Sequence, residues 1–535
     1  MLITRRTFLK ATAITGGAAV ITPNKIWGKF PSPTGEFFGL NSFIDRHPDA
    51  VFIMRTNVDQ KTNSNAIKEA GLAFGKSVFV HRDESDGGIP ITQKVVLKPN
   101  ITCRYPGSTG YTKTGTMGIV TDSNFVEGII ESIKALGIVG KNFYIRETNC
   151  PSDFEEGSYY SMAARTGADL RDLSANVNDL APENVQWVNI ENGVYFNKLP
   201  YLAPVNSPGS YLINIAKLKA HSMGLTLCAK NIQGAIAHNY QVHCQPYNAE
   251  MDIPAEHIKK NAKEVIMANF LRHLDQKIPR WDKPGDYGGL WMELWATRCL
   301  DNNSVTHPGI HIIEGIYGRD GNFVSGPDPK GLATDYMTNL IIFGKNQFHV
   351  DNIGHYLGGH EPGNFGLFHL AIERGFSSLL NPRDIPLYEW KADGTATLTN
   401  LSTFPRAALK TRYLQRDYNG QNESEWHLVN EPFNYPTNVN KPNTSGRPEA
   451  FVLKQNYPNP FNPSTSIEYY IPKNGNVRLE VLDIYGRIVD ILEDSYLPMG
   501  SHLTVWNNRH APSGVYFYRI LFDGYSKTKQ MVLLK

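Results

Sequence analysis

Two short apolar runs, Lys94-Val-Val-Leu-Lys98 and Asn142-Phe-Tyr-Ile-Arg-Glu147, flank one amphipathic segment in which Phe125, Ile129, Ile133 and Leu136 recur at helical spacing. Thr121-Asp-Ser-Asn supplies the helix start and Gly137 the stop. Two strands joined by one helix are predicted to run parallel, and this unit constrains the rest of the chain. Val51-Phe-Ile-Met54, Tyr211-Leu-Ile-Asn-Ile215, Ile310-His-Ile-Ile313 and Asn339-Leu-Ile-Ile-Phe343 read as further strands. From about residue 245 to 305 the pattern is helical, with Ile266, Phe270, Leu271, Leu290, Leu294 and Trp295 as its apolar positions. Residues 35–430 are therefore expected to form an α/β core with a mainly parallel sheet.

Open parallel sheets bind ligands beyond the carboxyl ends of their strands. The apolar runs stop at Lys98-Pro99-Asn100, at Glu147-Thr148-Asn149-Cys150, through Lys217-Leu-Lys219-Ala-His221, and at Glu314-Gly315 before Arg319-Asp320-Gly321. A parallel sheet would gather Lys98, Glu147, Lys219, His221, Glu314 and Asp320 on one rim, where mixed charge suits a polar ligand or metal. Solvated loops produce polar strand ends as well. Beyond His221 an apolar turn leads to Lys230-Asn231 and Gly234. Lys98, Lys219 and Lys230 can clamp a phosphate or carboxylate, with Asn100 and Asn231 adding donors. A lysine desolvated beside two others can act as base or nucleophile, and His221 is the natural proton carrier. Lys98, His221 and Lys230 are the candidate reactive centre. Asn100, Glu147, Lys219, Asn231, Glu314, Asp320 and Asp351 are the candidate ligand-binding residues, although Asp351 also reads as a helix N-cap.

The chain has 535 residues, enough for two or three folded units, and its 41% hydrophobic and 19% charged residues describe an ordinary globular protein. A formal charge of +2 argues against a nucleic-acid or membrane-surface binder. Five cysteines are too few for a disulfide scaffold, and their odd number leaves at least one free or ligating. No Cys-x-x-Cys occurs, which speaks against a ferredoxin-type iron–sulfur cluster. The candidates for a bound metal are His221, Cys228, His238, His243 and Cys244, at spacings that match no regular metal motif. No Walker loop, dinucleotide fingerprint or nucleophile elbow stands in a convincing place.

The two ends carry addresses. Arg5-Arg6 followed by Phe8-Leu9-Lys10, with a weakly apolar stretch behind, matches the twin-arginine export signal over residues 1–30 and implies the twin-arginine translocase as a partner. The apolar stretch is too short and too polar to span a bilayer, so no transmembrane anchor is expected. Residues 431–450, with Pro436, Pro442, Ser445, Gly446 and Pro448, read as a linker. Residues 451–535 then show short alternating runs: Val477, Leu479 and Val481; Leu503 and Val505 alternating with Thr504 and Trp506; and Val515-Tyr-Phe-Tyr-Arg-Ile520. Regular short strands predict a small all-β, immunoglobulin-like sandwich.

The tail resembles the C-terminal sorting domain of the type IX secretion system, on Asn456-Tyr-Pro-Asn-Pro-Phe-Asn-Pro463, Ile484-Tyr-Gly-Arg487, Ser513-Gly-Val-Tyr-Phe-Tyr518 and Lys529-Gln-Met-Val-Leu-Leu-Lys535. That resemblance implies the type IX secretion machinery as partner and a destination at the cell surface or outside the cell. The core resembles the domain-of-unknown-function 362 family over about residues 90–375, on Lys98-Pro99-Asn100, the Glu147 strand end, Lys219-x-His221, Lys230-Asn231-x-x-Gly234, the glycine loop from Glu314 to Gly326, and Val350-Asp351. The family implies no settled reaction, and this chain lacks the cysteine-rich iron–sulfur insert that many members carry. The expectation is an exported protein whose core binds an anionic small molecule, cofactor or metal. Redox or acid–base catalysis and non-catalytic ligand binding both remain open.

Overall fold

The computed structural model describes residues 36–102, 114–148, 151–225, 227–279, 281, 288–414, 417–418, 421–422, 424–435, 451–456, 458–471, 475–497, 500–508, 511–522 and 525–534. The twin-arginine signal and most of the linker lie outside them.

The sheet that organises the core has strands β1 Val51–Arg55, β2 Lys94–Pro99, β3 Phe143–Ile145, β4 Asp169–Leu170, β5 Ser210–His221, β6 Ile310–Arg319, β7 Asp335–Gly344, β8 Leu387–Trp390 and β9 Ala396–Leu398. Their order is β9-β8-β1-β7-β6-β5-β2-β3-β4, with Gly224–Leu225 folding back on β5. From β6 to β4 every pairing is parallel, and β8 also runs parallel to β1. β7 lies antiparallel to both β6 and β1, so the sheet is mixed but mostly parallel. The apolar run in β7 carries no mark of direction, so its reversal is not legible in the pattern.

Helices cover both faces. On one, α1 Ser64–Val78 and α2 Ser123–Lys134 place Phe74, Phe125 and Ile129 against Val95, Leu97, Ile213 and Ile215. The two helices cross closely because Gly71 faces Phe125 and Gly128 faces Lys68; a Cβ at either glycine would stand 2.3 Å from a backbone oxygen of the other helix. The other face carries the four-residue turn α3 Cys228–Asn231 and helices α4 Ala262–Asp275, α5 Gly289–Asn303 and α6 Gln347–Leu357. Trp295 and Phe270 pack with Val96 and Leu212, while Val350 and Ile353 pack with Ala216 and Ile313.

Two expectations change here. β6 does not stop at Ile313. It continues to Arg319 because β7 extends the ladder alongside it, so Glu314 lies within the sheet rather than on the rim. Asp351 does not cap its own helix, which Asn346 caps; it sits inside α6, fully enclosed.

The tail is a sandwich of two antiparallel sheets: β10 Val452–Leu453, β11 Ser464–Ile471 and β14 Gly500–Asn507 in one; β12 Gly475–Leu482, β13 Ile488–Leu497, β15 Gly514–Phe522 and β16 Tyr525–Leu533 in the other. Alternate residues point inward, with Ile467, Tyr469 and Ile471 meeting Val477, Leu479, Tyr518 and Ile520. In β14 the buried phase belongs to Trp506; Leu503 and Val505 face solvent at 42% and 55% exposure.

Candidate functional site

The parallel register sets Lys98 of β2 beside Asn214 of β5. Lys98 is completely buried, and its Nζ reaches Glu147 at 2.7 Å, the Pro99 carbonyl at 2.7 Å and Asn231 Oδ1 at 3.3 Å. The Glu147 carboxylate also accepts from Ile101 N at 3.0 Å and Thr148 N at 3.1 Å. Burial pushes the Lys98 pKa down and the Glu147 pKa up, while their mutual attraction opposes both shifts. The pair is net neutral wherever the proton sits.

Asn231 binds this pair to the next strand. Its Nδ2 donates to the Lys98 carbonyl at 2.9 Å and to Asn214 Oδ1 at 2.8 Å, and its Oδ1 accepts from Asn100 at 3.2 Å. Asn214 continues the chain to the Cys228 carbonyl and to His311 Nδ1. Gly234 completes the motif: a Cβ there would lie 1.7 Å from Glu147 Oε1, so only glycine leaves room for the carboxylate. Asp351 supports the same turn from α6, accepting from Cys228 N at 2.7 Å and Ala229 N at 2.8 Å. Burial raises its pKa to about 7, with the backbone donors pulling the other way. It positions the turn that carries Lys230 and Asn231.

A cavity of about 60 Å³ opens beyond these strand ends, lined by Asn100, Glu147, Lys219, His221, Lys230 and Asn231, with Thr102, Thr148, Gln233, Gly234, Gln241 and Phe323. Lys219 is 4% exposed and donates to the Ile119 carbonyl at 2.6 Å. Lys230 is half-buried, and its ammonium makes no hydrogen bond or ion pair among the described residues. His221 Nδ1 accepts from Met223 N at 3.3 Å, which leaves Nε2 as the protonated nitrogen of the neutral ring. Burial, then Lys230, then Lys219 push its pKa well down, so the ring is neutral at pH 7. Asn100 Oδ1 and Gln233 Oε1 are buried acceptors without a partner among the described residues.

Seven of the ten candidate residues meet here: six line the cavity, and Lys98 lies beneath Glu147. The other three do not line it. Glu314 pairs with Lys217 at 2.6 Å inside the sheet. Asp320 accepts from Thr334 N at 2.7 Å and from Tyr336 at 3.1 Å. Asp351 acts through the α3 turn. Gln233 and Gln241 escaped the sequence reading, since isolated glutamines carry no motif. The metal candidates stand in different surroundings: His221 lines the cavity, Cys228 Sγ points to the Ile312 carbonyl, His238 is exposed, His243 is fully buried and Cys244 is half-buried. Among the described residues no group of three or more His, Cys, Asp or Glu side chains is arranged to hold a metal ion.

Comparison with known proteins bears on both domains. No curated protein matches the chain. A solved structure described as PorZ, an essential surface component of the type-IX secretion system of Porphyromonas gingivalis, is 19% identical over 16% of this chain and 11% of that one, with a TM-score of 0.12. That overlap is too small to bear on fold or activity. No helix among the described residues is long and apolar enough to cross a membrane. Two family models match: a domain of unknown function (DUF362) over residues 95–355, which covers the whole cavity lining, and a secretion system C-terminal sorting domain over residues 455–534. The chain is thus an exported protein of the cell surface or extracellular space, with a DUF362 domain in its core and a sorting domain of the type IX secretion machinery as its tail.

Proposed function

We propose that the core binds a small anion that also carries a hydrogen-bond donor, such as a hydroxy- or amino-carboxylate or a monoanionic phosphate. One observation carries this reading. Lys219, His221 and Lys230 converge on a cavity whose single lining carboxylate among the described residues, Glu147, is already neutralised by Lys98. The described lining is therefore net positive, and the oxygens of Asn100 and Gln233, unpartnered among the described residues, ask for a donor from the occupant. Ligand binding is favoured over catalysis because Lys98, the lysine best suited by burial to be reactive, is consumed by its pair with Glu147. The cavity is small and suits one anionic group with a short body.

Titration calorimetry of the full chain with inorganic phosphate, bicarbonate, lactate and glycine tests the reading. At least one should bind, and Lys230→Ala should weaken it about tenfold or more, the loss of one charge-assisted contact. Stability should stay within about 0.5 kcal/mol, because Lys230 holds nothing in place. Affinity should rise as pH falls, since an anion beside His221 offsets Lys219 and Lys230 and draws a proton onto the ring. No binding by any of the four, or binding indifferent to Lys230, contradicts the proposal.

A further inference from the structure

A second cavity, of about 200 Å³, lies where the N-termini of α1 and α2 come together beside β6. Its lining is of another kind. Hydroxyls come from Thr62, Ser64, Ser123 and Ser158, and the carboxylate of Asp122 and the ring of Tyr317 stand among them. Met117 and Val120 add a short apolar patch. Among the described residues no lysine, arginine or histidine takes part in the lining.

The polar groups are held firmly. Asp122 Oδ2 accepts from the Tyr317 hydroxyl at 2.8 Å, and Oδ1 accepts from Asn124 N at 2.8 Å. Behind them, Glu314 accepts from Asp122 N at 3.2 Å and pairs with Lys217, whose ammonium stands 3.4 Å from the Tyr317 ring centre. The positive charge of Lys217 is thus spent on Glu314 and does not reach the cavity. Ser123 is only 5% exposed and lines the cavity, and its hydroxyl has no partner among the described residues, so it is free to meet an occupant.

We infer that this second cavity binds a neutral polyhydroxylated ligand, a monosaccharide or cyclic polyol. Serine and threonine hydroxyls both donate and accept, and so match hydroxyl groups of either polarity. Asp122, with no cation beside it among the described lining residues, repels an anion and accepts hydroxyl donors. The Met117 and Val120 patch matches the C–H face of a sugar ring. The volume falls below the roughly 300–1,000 Å³ of drug-sized pockets, which limits the occupant to about one ring.

The two cavities share a wall but not a chemistry. Asn100, from the first, donates its backbone N–H to Thr121 Oγ1 at 3.0 Å and accepts from Thr121 N at 2.8 Å, and the neighbours of Thr121, Val120 and Asp122, line the second. This inference does not depend on the anion reading, and one experiment separates them. The full chain is titrated with D-glucose, D-galactose, myo-inositol and sorbitol, and in parallel with inorganic phosphate. Two variants are compared: Ser123→Ala, which removes the inner hydroxyl, and Thr62→Trp, which fills the cavity from an exposed rim position. At least one neutral polyol is expected to bind the parent chain, with affinity at least tenfold weaker in both variants. Whatever phosphate affinity the parent shows should persist in both. Absence of binding by all four polyols overturns the inference. So does polyol binding that survives Thr62→Trp, or phosphate competing with polyol for one site.

Discussion

The core and the tail bury polar groups by different rules. In the tail, strands alternate in and out, and its buried polar side chains among the described residues are Asn456, Thr465 and Glu480. Glu480 sits between Arg478 and Arg519, both more than a third exposed, so its partners reach it from water. In the core, whole ion pairs lie inside the sheet: Lys98 with Glu147, and Lys217 with Glu314, every member at most 4% exposed. Buried pairs add little net stability and cost much to break, so their presence is weak support for a stability role. Each pair adjoins one of the two cavities. The core encloses neutralised pairs behind its cavities, whereas the tail holds its charge at its edges, as a domain read by a translocation machinery through its surface would.

That contrast can be broken. Lys98→Met removes one partner of a fully enclosed pair and should cost about 3–5 kcal/mol in chemical denaturation. Adding Glu147→Gln should recover much of the loss, because it removes the uncompensated charge. The corresponding break in the tail, Glu480→Gln, should cost only about 1 kcal/mol or less, since both arginines remain solvated. Equal losses would erase the distinction.

Next in size is Gly234→Ala. The added Cβ meets the Glu147 carboxylate, and overpacking of this kind costs about 1–3 kcal/mol. Anion binding should fall with it, since Glu147 must move into the cavity. A stable Gly234→Ala protein with undiminished binding would show that the carboxylate is not held where the hydrogen bonds place it.

A pH test distinguishes the core in a third way. Burial disfavours charge on His273, but Glu293 and Glu373, each 2.8 Å from a ring nitrogen, outweigh it and raise its pKa. The stabilisation from protonated His273 is complete below its ordinary pKa and is lost as pH rises through the raised folded value. His273→Gln should therefore destabilise the chain more at pH 5.5 than at pH 8.5 by denaturant titration. A larger loss at the higher pH would mean the ring is held neutral.

The smallest effect expected is Leu503→Ser, within about 0.5 kcal/mol, because this strand faces solvent at that position. The sequence invites the opposite reading, since Leu503 and Val505 look like an inward pair. Strand alternation fixes a period and leaves the phase open; Trp506, the largest residue of the run, decides it by filling the sandwich. The strand–helix–strand unit was readable because helix spacing and caps are local signals. Lys98, Asn100, Glu147, Lys219, His221, Lys230 and Asn231 were readable because parallel topology carries strand ends to one edge. Glu314 was misplaced because β6 is extended by a partner, β7, whose direction the apolar pattern does not encode. Asp351 was misread because its two backbone donors lie more than 120 positions away. The second cavity was not visible for the same reason: Asp122 meets Tyr317 across 195 positions, and alone each reads as a helix cap and a core aromatic.

The central claim is that the strand-end cavity is an anion site. Diffraction from crystals soaked in arsenate, which keeps a hydroxyl donor near neutral pH, collected at the arsenic edge, tests it most directly. The account predicts an arsenic peak within hydrogen-bonding distance of His221 and Lys230, absent from Lys230→Ala crystals. No peak in that cavity while arsenate occupies other basic surfaces of the same crystals would contradict it.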